Sequence, residues 1–106
     1  MSKANVMSTT PVYVFAKWQV MEGKLAAVLS FLKQAAQKSR SEKGNLFYHL
    51  HQSTSDANTI LVYEGYTNEA AAEEHRNSDH YQEIIKKSII PLLENREVIM
   101  MTPLSD

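Results

Sequence analysis

From Val12 the chain alternates with period two. Val12, Val14, Ala16, Trp18 and Val20 point one way, and Tyr13, Phe15, Lys17 and Gln19 the other, which predicts a first strand ended by Met21-Glu22-Gly23. Leu25, Val28, Leu29, Leu32 and Ala36 then recur at three- and four-residue spacing, with Lys33, Gln34, Gln37 and Lys38 opposite. That pattern is an amphipathic helix of about four turns. It is expected to stop near Lys43-Gly44, where glycine adopts a left-handed conformation cheaply.

Alternation returns over Asn45–Ser53, with Phe47, His49 and His51 set against Leu46, Tyr48 and Leu50, so a second strand follows. Thr54–Asn58 reads as a turn, because its side chains can bond to nearby backbone. Thr59–Tyr66 is rich in β-branched and aromatic residues and predicts a third strand. Asn68 is a candidate N-cap for a helix from Glu69 to about Arg76. Ser78 caps a further helical stretch whose apolar side is Tyr81, Ile84, Ile85 and Ile89, ending around Pro91. Glu97–Thr102 predicts a fourth strand, closed by Pro103. The order β-α-β-β-α-β makes an α+β, ferredoxin-like fold: a four-stranded antiparallel sheet with helices on one face.

Helices cover only one face of such a sheet, so the other face should be polar if it met water. Instead Tyr13 and Phe15 lie opposite Val14 and Trp18, Ile60-Leu61-Val62-Tyr63 has no polar break, and Val98-Ile99-Met100-Met101 has none either. Both faces read as buried. A second copy, sheet against sheet through Phe15, Tyr63 and Ile99, is the simplest partner, giving a homodimeric α/β barrel.

Composition narrows the function. The 106 residues suit one domain, read as 12–106 behind a flexible polar leader over 1–11. Eleven Lys and Arg against twelve Asp and Glu leave a net charge of −1, with no basic excess for nucleic acid and no charged block for a membrane surface. The longest apolar run is about five residues, against the roughly 20 a membrane helix needs. Neither a signal-peptide core nor a single cysteine is present, which excludes thiolate nucleophiles, disulfides and Cys-ligated metals and fits a cytoplasmic location. Gly23, Gly44 and Gly65 stand too far apart for a phosphate or dinucleotide loop, and Gly-x-Ser-x-Gly is absent.

The remaining chemistry rests on His, Glu, Tyr and Trp. His49 and His51 share one strand face at a spacing compatible with a metal, but two ligands do not make a site, and two polar side chains on an edge strand explain them as well. His75 and His80 are five apart across the Ser78 cap, which argues against a His-x-x-x-His metal pair. Imidazoles titrate near neutrality, so the two could line a pocket mouth and move protons, or simply sit on exposed turns. Glu64 lies at the end of an apolar strand, where a carboxylate is costly to bury unless it is paired. It is either a structural hydrogen-bond partner or a pocket carboxylate that orients a histidine. Trp18 falls on the helix-facing side, as core or as a pocket wall.

Tyr63-Glu64-Gly65-Tyr66-Thr67-Asn68-Glu69-Ala70-Ala71, then His75, then Ser78-Asp79-His80-Tyr81 resembles the antibiotic biosynthesis monooxygenase family. Glu42-Lys43-Gly44-Asn45-Leu46 with Tyr48 and His51 is similar to that family's helix-to-strand junction, and the resemblance spans Val12 to Pro103. It implies a dimeric ferredoxin-like barrel whose enzymes oxidise phenols or quinols with O₂ and without metal, flavin or haem. A haem-degrading branch uses Asn, Trp and a proximal His where this chain holds Ala16, His75 and Ile85, so haem is not expected. Another branch isomerises a phosphorylated autoinducer sugar and also resembles this chain around Glu64, Tyr66, His75, His80 and Tyr81.

The expectation is a cofactor-independent monooxygenase acting with O₂ on a small aromatic or quinol. His75 or His80 would be the base, Glu64 its orienting carboxylate, Tyr66 or Tyr81 an oxyanion donor and Trp18 a pocket wall. Two alternatives stay open. One is the isomerase, for which Lys17 or Arg76 could hold phosphate; the other is a non-catalytic ligand-binding dimer. Walls of Trp and Ile favour the oxygenase, a strongly cationic pocket the isomerase, and a filled core the binder.

Overall fold

The computed structural model describes residues 10–105; the expected leader falls almost wholly outside the described residues. The elements are β1 (Val12–Val20), α1 (Leu25–Arg40), β2 (Asn45–Gln52), β3 (Thr59–Tyr66), α2 (Glu69–Arg76), α3 (Tyr81–Ile89), a short 3₁₀ turn (Ile90–Leu92) and β4 (Leu93–Met101). The strands form one antiparallel sheet in the order β2-β3-β1-β4, which is the ferredoxin-like arrangement.

Alternation along β1 sorts the layers. Ala16, Trp18 and Val20 are buried toward the helices with Val28, Leu32, Ala35 and Ala36 of α1 and Ile85 and Ile89 of α3, while Val12 packs with Tyr66 and with Ala71 and Ala72 of α2. α2 opens as its sequence dictates: the Asn68 side chain accepts a hydrogen bond from the Ala71 amide at 2.8 Å. Ser78 joins α2 to α3 in two ways, its hydroxyl donating to the His75 carbonyl at 2.7 Å and accepting from the Tyr81 amide at 3.2 Å. α3 winds as a π-helix, wider than the regular helix its spacing predicts. No described helix is long and apolar enough to cross a membrane.

Two expectations are corrected. α1 ends at Arg40, not Lys43-Gly44, and Gly23, not Gly44, holds the left-handed conformation. Gly44 is small for another reason: a Cβ there would collide with the Ala71 Cβ of α2. The fourth strand begins at Leu93 rather than Glu97. Its first residues are polar because β4 is an edge strand, exposed along most of its length, so periodicity hid them.

The face away from the helices carries Tyr13, Phe15, Tyr63 and Ile99, as expected; register pairs Phe15 with both Tyr63 and Ile99. Phe47 packs against Tyr63 with ring centroids 4.8 Å apart and against Tyr13 at 5.7 Å, while Ile99 is 51% exposed. Gly65 makes room for this cluster, since a side chain there would run into the Phe47 ring. His49 stacks on Phe47 at 5.0 Å on the edge strand β2. Among the described residues, no third metal-ligating side chain joins His49 and His51.

Candidate functional site

A cavity of about 100 Å³ opens between the helical layer and the inner face of β1, β3 and β4. Most of its wall is apolar, from Val14, Ala16, Trp18, Ile85, Val98 and Met100. Its polar wall holds Glu64, Tyr66, His75 and Tyr81, with Tyr48, Arg76 and Arg96 completing the lining. Five of the six side chains singled out from the sequence therefore meet in one place: Trp18, Glu64, Tyr66, His75 and Tyr81. His80 is not in the lining.

His75 is the centre of the polar group. It is only 4% exposed, so the alternative of a surface histidine on a turn does not hold. Its Nδ1 lies 2.8 Å from Glu42 Oε2 and its Nε2 3.6 Å from Glu64 Oε1. His80 reaches the same Glu42 oxygen from the other side, with Nε2 at 2.5 Å. Glu42 thus holds both imidazoles, and the two histidines separate in role: His75 faces the cavity and His80 backs its carboxylate.

In the sequence Glu42 stands out only as part of the family-like junction, and nothing there marks it for a role. It sits in a polar Ser-Glu-Lys-Gly loop that reads as solvated, and it lies 33 residues from His75. The fold fixes that loop at both ends. Arg40 donates from Nε to the Tyr48 carbonyl at 3.0 Å, the Glu42 amide donates to the Ser39 carbonyl, and the Thr67 amide donates to the Gly44 carbonyl. A charge-assisted hydrogen bond from a held carboxylate fixes both the tautomer and the orientation of an imidazole. With Nδ1–H given to Glu42, Nε2 keeps its lone pair.

The donor atoms of Glu42, His75 and His80 lie within 4.8 Å of one another, the one such three-residue group among the described residues. Ligands of one zinc ion, each about 2.0–2.2 Å from the metal, stand more than 3 Å apart. The two imidazole nitrogens are closer than that to the shared oxygen, which is the spacing of hydrogen bonds.

Glu64 is buried, and burial pushes its carboxyl above the ordinary range, opposed by the His75 imidazole and by the Tyr66 hydroxyl. Tyr66 donates to Glu64 Oε1 at 2.7 Å, so its proton is committed and it is not a free oxyanion donor. Burial and the neighbouring Glu64 hold the Tyr66 phenol far above its usual titration range. Tyr81 differs. Its hydroxyl oxygen accepts from Arg96 Nη2 at 3.4 Å, which leaves its own O–H to donate. Trp18 is 3% exposed, and its indole Nε1–H is buried without a hydrogen-bond partner. Buried donors normally have partners, and an orphan beside a cavity is a place for a ligand acceptor.

The cationic side chains also depart from expectation. Lys17 pairs in register with Leu61 and Glu97 on the face away from the helices and is not part of the cavity. Arg76 is, and so is Arg96, which lies just before the strand predicted from Glu97 and within the observed one. The cavity is therefore neither wholly apolar nor strongly cationic.

Comparison with known proteins agrees with this architecture. The sequence profile described as antibiotic biosynthesis monooxygenase matches residues 11–87. The chain is 32% identical over 69 residues to "Putative monooxygenase YcnE" of Bacillus subtilis (strain 168), covering 65% of this chain and 73% of that protein. It is 32% identical over 73 residues to "Putative monooxygenase Rv0793" of Mycobacterium tuberculosis, covering 69% and 71%. Among solved structures, PA3566 from Pseudomonas aeruginosa superposes with a TM-score of 0.84 at 28% identity, covering 92% of this chain and 98% of that one. Rv0793 superposes with a TM-score of 0.85 at 26% identity, with the same coverage.

Proposed function

Because the chain belongs to the antibiotic biosynthesis monooxygenase family, we propose that its cavity oxidises a small phenol or quinol with O₂, without a cofactor, and that His75 is the base. The observation that carries this reading is a buried imidazole on a mostly apolar cavity, with Nδ1 hydrogen-bonded to Glu42 and Nε2, 3.6 Å from Glu64, making no hydrogen bond.

The chemistry follows from that arrangement. His75 Nε2 takes the proton of a substrate hydroxyl, and the resulting imidazolium is stabilised by Glu42. The phenolate passes one electron to O₂, because a deprotonated ring is far easier to oxidise. The phenoxyl radical and superoxide combine, and with the proton returned by His75 they give a ring hydroperoxide. Loss of water leaves a quinone, with one oxygen atom in the product and the other in that water. Tyr81 O–H and the unpartnered Trp18 N–H are the donors for developing oxyanion charge. The buried walls of Ala16, Trp18 and Ile85 keep water from the radical pair.

The active form in this reading is a homodimer. A second copy packed on the open face would bury Tyr13, Phe15, Phe47, Tyr63 and Ile99, and such an interface would exceed roughly 1,000 Å². The isomerase reading draws only on Arg76 and Arg96, and the apolar walls suit a sugar phosphate poorly. The test is oxygen-electrode screening of metal-stripped protein against hydroquinones and anthrones. O₂ uptake with matching quinone formation supports the reading; no uptake across the panel removes it.

A further inference from the structure

Among the described residues, two guanidiniums at the cavity have no anionic partner. The ion pairs among the described residues are Lys87 with Glu83 and the histidine–glutamate contacts; neither Arg76 nor Arg96 takes part. Arg76 comes from the last turn of α2. Arg96 comes from β4, in register with Trp18 and so on the inner face of the sheet, and its polar side-chain contact is the uncharged Tyr81 hydroxyl at 3.4 Å. One arginine thus stands on the helical wall and one on the sheet wall of the same cavity.

The opposing negative charge is small. Glu64 is the one carboxylate in the lining, and burial favours its neutral form. Glu42 lies behind His75, outside the lining, with its Oε2 taken by two imidazoles. What remains is an apolar slot, lined by Trp18, Ile85, Val98 and Met100, with two unpaired fork-shaped donors. Guanidinium forks match a carboxylate in geometry as well as charge. The apolar walls call for a flat hydrocarbon body attached to that carboxylate.

We infer that the ligand is a hydroxylated aromatic acid, with Arg76 and Arg96 gripping its carboxylate and the Trp18 N–H donating to a ring oxygen. This deepens the proposed function by naming the substrate class, and it rests on that reading for the fate of the ring. The anionic grip makes its own claim, on binding alone.

Trp18 is the single tryptophan of the chain and lines the cavity, so its emission reports occupancy without turnover. The experiment titrates 2,5-dihydroxybenzoate, hydroquinone and ribose 5-phosphate into the protein under argon, reading Trp18 emission and calorimetric heat. The acid is expected to bind at least about tenfold more tightly than hydroquinone, the scale of one charge-assisted hydrogen bond. In Arg76→Gln/Arg96→Gln the ratio should collapse toward one. Both side chains reach solvent, so folding is not at stake, and a thermal melt verifies it. Equal binding of the acid and hydroquinone overturns the inference, as does a preference that survives in the double variant. Tightest binding by ribose 5-phosphate overturns the aromatic body. If the acid binds as expected but admits no O₂ uptake afterwards in air, the inference stands and the oxygenase reading fails.

Discussion

Alternate residues of β3 serve opposite purposes. Ile60, Val62, Glu64 and Tyr66 face the helices, where the apolar pair sits in the core and the polar pair joins the His75 network. Leu61 and Tyr63 face away, onto a sheet surface of aromatic and aliphatic side chains that no helix covers. On one side polar atoms are buried at high cost, and Glu64, Tyr66 and His75 are tied together around a cavity where the Trp18 N–H is left without a partner. On the other, an aromatic and aliphatic patch is left half exposed, with the polar side chains Lys17, Glu97 and His51 toward one end of the same face. In the proposed reading the first surface carries the chemistry and the second the association. The most informative experiments break one face and ask whether the other notices.

The largest effect is expected at His75. Removing a general base costs about 10²–10⁴-fold in rate, so His75→Ala should lose that much on a confirmed substrate. The sheet-face association should be untouched, since His75 lies on the covered side. A variant that keeps wild-type rates would pass the role of base to Glu64 or a tyrosine.

Next comes the open face. Tyr63→Glu places a charge at the centre of the aromatic cluster, and an unpaired charge buried between two copies costs several kcal/mol. The dimer should weaken by about 10²-fold or more while each copy stays folded. Sedimentation at micromolar concentration checks it. A wild-type protein that already sediments as a monomer ends the dimer reading.

How much of this was legible in the sequence follows the same division. Strand alternation and helix periodicity place β1, α1, β2, β3 and α2 close to their observed bounds, because burial on one face is written directly in residue order. The site was legible where a residue breaks such a pattern, as Glu64 does in an apolar strand and Trp18 does by size. It was not legible where position depends on tertiary closure. Glu42 sits in a loop with ordinary loop composition, and only the close approach of Gly44 to Ala71 of α2 brings it to His75. Arg96 was hidden because edge strands need not alternate. The choice between His75 and His80 could not come from spacing, because a shared carboxylate separates their roles.

Glu64 gives a prediction with two readouts. Glu64→Gln keeps an acceptor for the Tyr66 hydroxyl, so a pocket role predicts lower turnover with little change in melting. A purely structural role predicts a loss of about 1–3 kcal/mol instead, through an impaired buried hydrogen bond. Dependence on pH adds the sign. The unfolded carboxyl ionises near 4.5, and burial holds the folded one protonated to higher pH. Between those two values the folded state binds more protons, so wild-type stability falls as pH rises through that window and levels off above it. The Glu64→Gln variant lacks this loss. Melts of both from pH 4 to 8 should therefore shift in the variant's favour with rising pH; a constant difference would refute the buried-carboxylate account.

The smallest effect is expected at His80. Its Nε2 shares Glu42 Oε2 with His75 but does not line the cavity. His80→Ala removes one of two hydrogen bonds to that oxygen and leaves the His75–Glu42 contact in place. A partly exposed hydrogen bond contributes about 0.5–1.5 kcal/mol, so the rate should fall by roughly tenfold at most. Glu42→Gln is the sharper companion, since it weakens the hold on both imidazoles at once and cannot stabilise an imidazolium as a carboxylate does. The order expected in kcat is wild type, His80→Ala, Glu42→Gln, His75→Ala, from fastest to slowest. His80→Ala falling below His75→Ala would mean that the proton leaves the substrate by the other imidazole, and that the cavity meets solvent on the Glu42 side.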